Sequence, residues 1–230
     1  MEITPWITIP LSLLPGFAWL MFYIQEDPRK EPLRAIVKTF FMGGAFAFFA
    51  LASQIALEKI TGPITTSGSV NALILFALSE ELFKFLAAYT SIHKSPAFSE
   101  PLDGMLYAII AALGFATVEN LGAIAGQATL NPVLFTELIG ATTLRFAGAT
   151  LLHTLSSGII GFYWTRSLLK NNRLWLFWGF VIGCAIHIAF NFLVLASSAM
   201  GYALAFCLLV GLFVLYDYEE LNNEHVNIQG

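Results

Sequence analysis

Residues 70–92 read VNALILFALSEELFKFLAAYTSI, an apolar run of helical length with Glu80, Glu81 and Lys84 near its middle. A charged side chain near the centre of a membrane helix costs about 2.5–3.5 kcal/mol, so three of them together need partners or a task. On a helix Glu80 and Lys84 lie four residues apart and share a face, while Glu81 is three residues from Lys84. The ammonium therefore neutralises one carboxylate. The other keeps its charge or its proton for chemistry.

The rest of the chain has the same character. Of its 230 residues 57% are hydrophobic and 11% charged, and the mean hydropathy is +0.75. A hydrocarbon layer of about 30 Å takes about 20 helical residues. Seven runs qualify, near 4–24, 36–57, 70–92, 103–125, 142–164, 174–196 and 199–216. The expected fold is all-α, a polytopic transmembrane helical bundle of about seven spans forming one domain over residues 1–230. The first run lacks a basic leader and a small-residue cleavage site, so it reads as a retained span. Arg29, Lys30, Arg34, Lys38, Lys94, Arg166, Lys170 and Arg173 fall on one side and only Lys59 on the other. The positive-inside rule puts the first group in the cytoplasm, the N-terminus outside and the C-terminus inside. The acidic tail from Asp217 to Gly230 is expected to fray in the cytoplasm. Cys184 and Cys207 read as small buried hydrophobes.

Small residues mark expected helix contacts: Gly43 and Gly44, Gly122 and Gly126, and Gly179 and Gly183. Asp103 is placed to cap the fourth span. Thr61 to Ser69 reads as an external loop, and Thr129 to Ala141 as an interfacial or re-entrant segment.

Further polar residues lie inside the spans: Glu119 and Asn120 in the fourth, Arg145 and His153 in the fifth, His187 and Asn191 in the sixth. At 1.5 Å per residue, Glu80 lies about 15 Å from the outer end of its span, Glu119 about 9 Å, His153 about 16 Å and His187 about 14 Å. The spans run alternately up and down, yet these residues reach one layer in the outer half of the membrane. Each has a structural reading on its own: an intramembrane ion pair for Glu80 or Glu81 with Lys84, a neutral core imidazole for His153, interhelical glue for His187 with Asn191, a proton relay for Glu119 with Asn120. Together they are a heavy polar load for packing alone, because lipid satisfies none of them.

Such a set supports two kinds of hydrolysis. In one, a carboxylate or imidazole takes a proton from water while His187 and Asn191 donate to the developing oxyanion. In the other, Glu80, Glu119, His153 and His187 hold a zinc ion that lowers the pKa of bound water. Both remain open from the residues. Neither HExxH nor GxSxG occurs in the chain.

Glu80-Glu81-Leu82-Phe83-Lys84 resembles an EExxK motif, Phe115 to Asn120 FxxxEN, and His187 to Asn191 HxxxN. In this order they resemble the PrsW family of bacterial intramembrane proteases, relatives of the CAAX-prenyl endopeptidases and the bacteriocin-immunity membrane proteases. The likeness runs from Leu78 to Asn191 and takes in Asp103-Gly104 and the Arg145 to His153 element. It implies that Glu80 and Glu81 supply the catalytic carboxylate, Glu80 foremost, and that Glu119, His153, His187 and Asn191 complete the site, supported by Lys84, Asn120 and Arg145. Lys84 stands where the prenyl branch has arginine and Glu119 where it tends to have histidine, which argues against a prenylated substrate. The implied function is cleavage of a membrane-anchored regulator, of the anti-sigma-factor kind, in the bacterial cytoplasmic membrane. The expected partners are that protein and the lipid bilayer, not nucleic acid. The competing classes are a proton-coupled transporter or channel, which predicts flux without cleavage, and a non-catalytic scaffold or immunity protein, which predicts tolerance of Glu80→Gln.

Overall fold

A computed structural model of the chain describes residues 5–61, 70–125, 135–196 and 201–229. The expected loop at 62–69 lies outside them, as do Gly126 and residues 129–134 of the segment expected at Thr129 to Ala141; the rest of that segment, from Phe135, is helical and continuous with the rod that follows. The helices are α1 (Pro5–Glu26), α2 (Leu33–Thr61), α3 (Val70–Ile92), α4 (Asp103–Asn120), α5 (Phe135–Leu144), α6 (Leu151–Leu169), α7 (Leu174–Ala196) and α8 (Gly201–Gln229). A π-helical stretch, Leu121–Ala125, continues α4, and another, Arg145–Thr150, joins α5 to α6. The described residues thus form seven unbroken rods and no strand. Five helices, α1, α2, α4, α7 and α8, are long and apolar enough to cross a membrane by length and composition. The other two long stretches are α3, which carries Glu80, Glu81 and Lys84, and α6, which carries His153, Ser156, Ser157 and Arg166. Their polar residues face the bundle interior.

α4 is the axis of the bundle. Nearly every residue from Asp103 to Thr117 is buried, and the helix packs against α1, α2, α3 and α6. Small residues allow this on two sides. A Cβ on Gly43 of α2 would lie 1.9 Å from the Ala111 carbonyl oxygen, and one on Gly114 of α4 1.8 Å from that of Phe40. On the other side, a Cβ on Gly161 of α6 would lie 2.5 Å from the Gly104 carbonyl oxygen. Helices in lipid gain little from hydrophobic association, so such close backbone approach contributes much of their packing energy. Gly122 is different: nothing lies within 4 Å of its Cβ position. The contact expected there is made eight residues earlier, by Gly114.

Large apolar side chains turn outward, among them Phe41 and Phe48 on α2 and Leu208, Leu212 and Phe213 on α8. A surface this apolar is matched by lipid as solvent. The chain is a multi-pass membrane protein with a helical bundle fold.

At the basic end, two expectations are corrected. The tail does not fray: α8 continues through Gln229, tied by an Arg166–Glu220 ion pair and by the Tyr218 hydroxyl donating to the Glu26 carbonyl at 2.8 Å. Asp103 does not cap its own helix. Its Oδ2 accepts from the Ser99 and Glu100 amides, each at 2.7 Å, because the preceding turn folds back over it. The α1–α2 connector is docked rather than freely solvated. Arg29 pairs with Glu100 at 2.9 Å, and Glu31 accepts from the Tyr107 hydroxyl at 2.6 Å. Burial, with Asp103 and Asp27 nearby, raises the Glu31 pKa to about 7 although the Tyr107 hydrogen bond opposes the shift.

Candidate active site

Four helices bring the polar residues into one cluster. Adjacent residues on a helix point about 100° apart, so Glu80 and Glu81 of α3 enter different surroundings. Glu81 is fully buried. It accepts from Lys84 Nζ at 2.6 Å, Ser156 Oγ at 2.8 Å, Ser157 Oγ at 3.2 Å and His187 Nδ1 at 2.6 Å. Both its oxygens are engaged, which is what a buried carboxylate requires. Glu80 accepts from Gln54 Nε2 at 3.1 Å and has Oε2 3.5 Å from His187 Nε2, with 13% of its side chain exposed.

Each imidazole is held at one nitrogen and turned toward a carboxylate at the other. His187 donates from Nδ1 to Glu81, which leaves the Nε2 lone pair facing Glu80. His153 accepts at Nδ1 from Lys84 Nζ at 2.9 Å, and its Nε2 lies 2.8 Å from Glu119 Oε2. The two rings are perpendicular, with centroids 5.2 Å apart. Glu119 is the most open of the three acids, with 28% of its side chain exposed.

Asn120 and Arg145 form a neighbouring pair. Arg145 Nε donates to Asn120 Oδ1, and Asn120 Nδ2 donates to Thr150 Oγ1 at 3.0 Å. The two π-helical stretches begin at this point, one directly after Asn120 and the other at Arg145 itself. π-helical turns are rare and frequent at functional sites. Here they set the register that lets Arg145 reach Asn120 from the next rod. Asn191 lies one turn beyond His187 on α7, half-buried and without a side-chain hydrogen bond to the described residues. The structure thus gathers Glu80, Glu81, Glu119, Lys84, His153 and His187 in direct contact, puts Asn120 and Arg145 beside them, and leaves Asn191 free among the described residues.

Sequence reasoning overlooked Gln54, Ser156, Ser157 and Thr150. Ser156 follows His153 by three residues and so shares its helix face, and Gln54 is an amide inside an apolar run. Those were the available signals. Hydroxyls, however, are common in membrane helices, where they bond their own backbone.

One oxygen of Glu80 and one nitrogen each of His153 and His187 lie within 4.8 Å of one another. Two imidazoles and a carboxylate with an open fourth position are the donor set of a catalytic zinc site, and His187 is oriented by Glu81 as metal-binding histidines commonly are. The cluster also holds one more carboxylate than cations, counting Glu80, Glu81 and Glu119 against Lys84 and Arg145. These residues fit a divalent metal.

A family model described as PrsW family intramembrane metalloprotease matches residues 31–217. A protein named Protease PrsW from Geobacillus kaustophilus is 30% identical over 213 residues, covering 90% of this chain and 85% of the relative. Proteins of the same name from Bacillus subtilis and Clostridioides difficile are 26% and 29% identical, over 83% and 76% of this chain and 84% and 74% of their own lengths. No solved structure matches the chain.

Proposed function

The chain belongs to the PrsW family of intramembrane metalloproteases and is a membrane-embedded peptidase, and from that premise we propose that it hydrolyses a peptide bond in a membrane-anchored protein with water activated among Glu80, Glu119, His153 and His187. The observation that carries the site is the convergence of Glu80, His153 and His187 within 4.8 Å, on three different helices. A metal held by those three supplies Lewis acidity and a water of lowered pKa. Glu81 orients His187, and Lys84 and the serine hydroxyls hold Glu81. Glu119, outside the donor set and open to the site, takes the proton from the attacking water. Asn191, whose amide has no partner among the described residues, donates to the oxyanion of the scissile carbonyl. Arg145, from the adjacent rod, holds Asn120, the α4 neighbour of Glu119.

Lys84 favours a second reading. An ammonium donating to His153 Nδ1 puts the imidazole proton on Nε2, facing Glu119. That tautomer does not ligate at Nε2, and it suits a glutamate base working without metal, with Glu80 in that role.

The Lys/Arg-rich side supports placement in a bacterial cytoplasmic membrane with that side inward and the site in the outer half. A membrane-anchored regulator of the anti-sigma-factor kind is the substrate class that suits this side.

The test is cleavage of a single-span substrate by the purified chain, with the metal content of the same preparation measured. Glu80→Gln is expected to lose cleavage by at least about 10²-fold in either reading. If chelation removes one zinc per chain and abolishes cleavage, and zinc restores both, the metal reading holds. Chelator-resistant cleavage that still requires Glu80 selects the glutamate base. Undiminished cleavage by Glu80→Gln removes the site proposed here.

A further inference from the structure

At the basic end of the bundle, away from the catalytic cluster, a cavity of about 360 Å³ opens between the start of α2 and the turn after α3. Arg34 and Lys38 line one wall, and Ser91, Ser95 and Pro96 line the other. No carboxylate lines it.

The acids of the α1–α2 connector, of the turn after α3 and at the start of α4 have partners of their own, Asp27 accepting from the Arg29 amide. Glu31 is taken by Tyr107, Glu100 by Arg29, and Asp103 by two backbone amides. The cations of the cavity are not. Arg34 is exposed and makes no hydrogen bond or ion pair with the described residues. Lys38 gives one donor to the Ser91 carbonyl at 2.7 Å, an acceptor at the end of α3, and keeps two. Unpaired charge lining a concavity is matched by a ligand of the opposite sign.

The position of the cavity narrows the ligand. Leu33, Val37 and Phe41 follow one another at four-residue spacing on α2, next to Arg34 and Lys38, and all three are exposed, by 71%, 44% and 68%. They form an apolar track about 12 Å long, leading from the cations toward the hydrocarbon. We propose that this cavity binds an anionic glycerophospholipid, its phosphate on Arg34 and Lys38 and an acyl chain along Leu33, Val37 and Phe41. Basic pockets between helices at the inner boundary of a membrane suit such headgroups. A soluble anion would leave the apolar track unused.

The experiment follows the unfolding midpoint of the purified full chain in uncharged detergent during titration with phosphatidylglycerol, phosphatidylcholine or inorganic phosphate. Phosphatidylglycerol is expected to raise the midpoint and the other two are not. Arg34→Gln is expected to keep the lipid-free midpoint, because Arg34 is exposed and makes no hydrogen bond or ion pair with the described residues, and to need about fivefold more phosphatidylglycerol for the same shift. Lys94→Gln, a change of equal charge outside the cavity, is expected to behave like the parent chain. Equal response to the two lipids, an unchanged response in Arg34→Gln, or an equal loss in Lys94→Gln would overturn the site. A shift produced by inorganic phosphate alone would overturn the lipid assignment in favour of a soluble phosphate.

Discussion

Glu80 and Glu81 are identical side chains one residue apart, and they do different work. Glu81 satisfies four donors in a fully buried setting, and one of them is the equally buried Lys84 ammonium. Glu81→Gln leaves that cation without its partner. Breaking a buried ion pair on one side costs about 3–5 kcal/mol, so this variant is expected to unfold early in a denaturant or thermal melt in detergent. Glu80→Gln keeps its contact with Gln54 and is expected to melt close to the parent chain while losing cleavage. A melt in which Glu80→Gln is the unstable variant would reverse the two roles. Ser156→Ala removes one charge-assisted hydrogen bond from Glu81 and is expected to cost about 1.5–3 kcal/mol, read in the same melts. Both acids and the lysine were legible in the sequence as a group. Which acid Lys84 holds was not, because a helix allows either spacing and the serines that decide it come from α6.

Among the elements, α4 carries the bundle and its glycines are not equivalent. Gly114 meets the α2 backbone, whereas Gly122 faces open space. Gly114→Val is expected to push α2 from α4 and cost about 3 kcal/mol, the upper end of overpacking. Gly122→Ala is expected to be neutral or stabilising, since it relieves the backbone entropy of glycine without meeting a neighbour. Comparison of the two melts checks this, and equal losses would sink the distinction. A four-residue spacing of small residues says that close contact is possible. Only the partner helix says where it happens. The rods themselves were readable from hydropathy, including the two that carry most of the site. The π-helical turns after Asn120 and at Arg145 left no trace in residue type, because they answer to packing between rods.

For the whole molecule, the docked connector makes stability depend on pH. The Glu31 pKa is raised from 4.5 to about 7 by burial among other acids, so the folded chain binds more protons there than the unfolded one. The stabilisation this gives is complete below pH about 4.5 and is lost as pH rises through about 7. Between pH 6 and 8 the parent chain is therefore expected to lose more stability than Glu31→Gln. Melts of the two proteins at both pH values check the sign, and parallel losses would refute it.

Composition and hydropathy determined by themselves that this is a helical membrane bundle, because the bilayer allows so few ways to bury a backbone. The motifs marked the charged residues that such a bundle has to explain. Tertiary structure alone decided that Glu80, His153 and His187 converge while Glu81 is spent on holding His187 and Lys84, and that Asn191 makes no side-chain hydrogen bond with the described residues. Those outcomes depend on helix rotation and on partners 25 to more than 100 residues away. A few ångströms there change which groups touch, and nothing local to a motif records it.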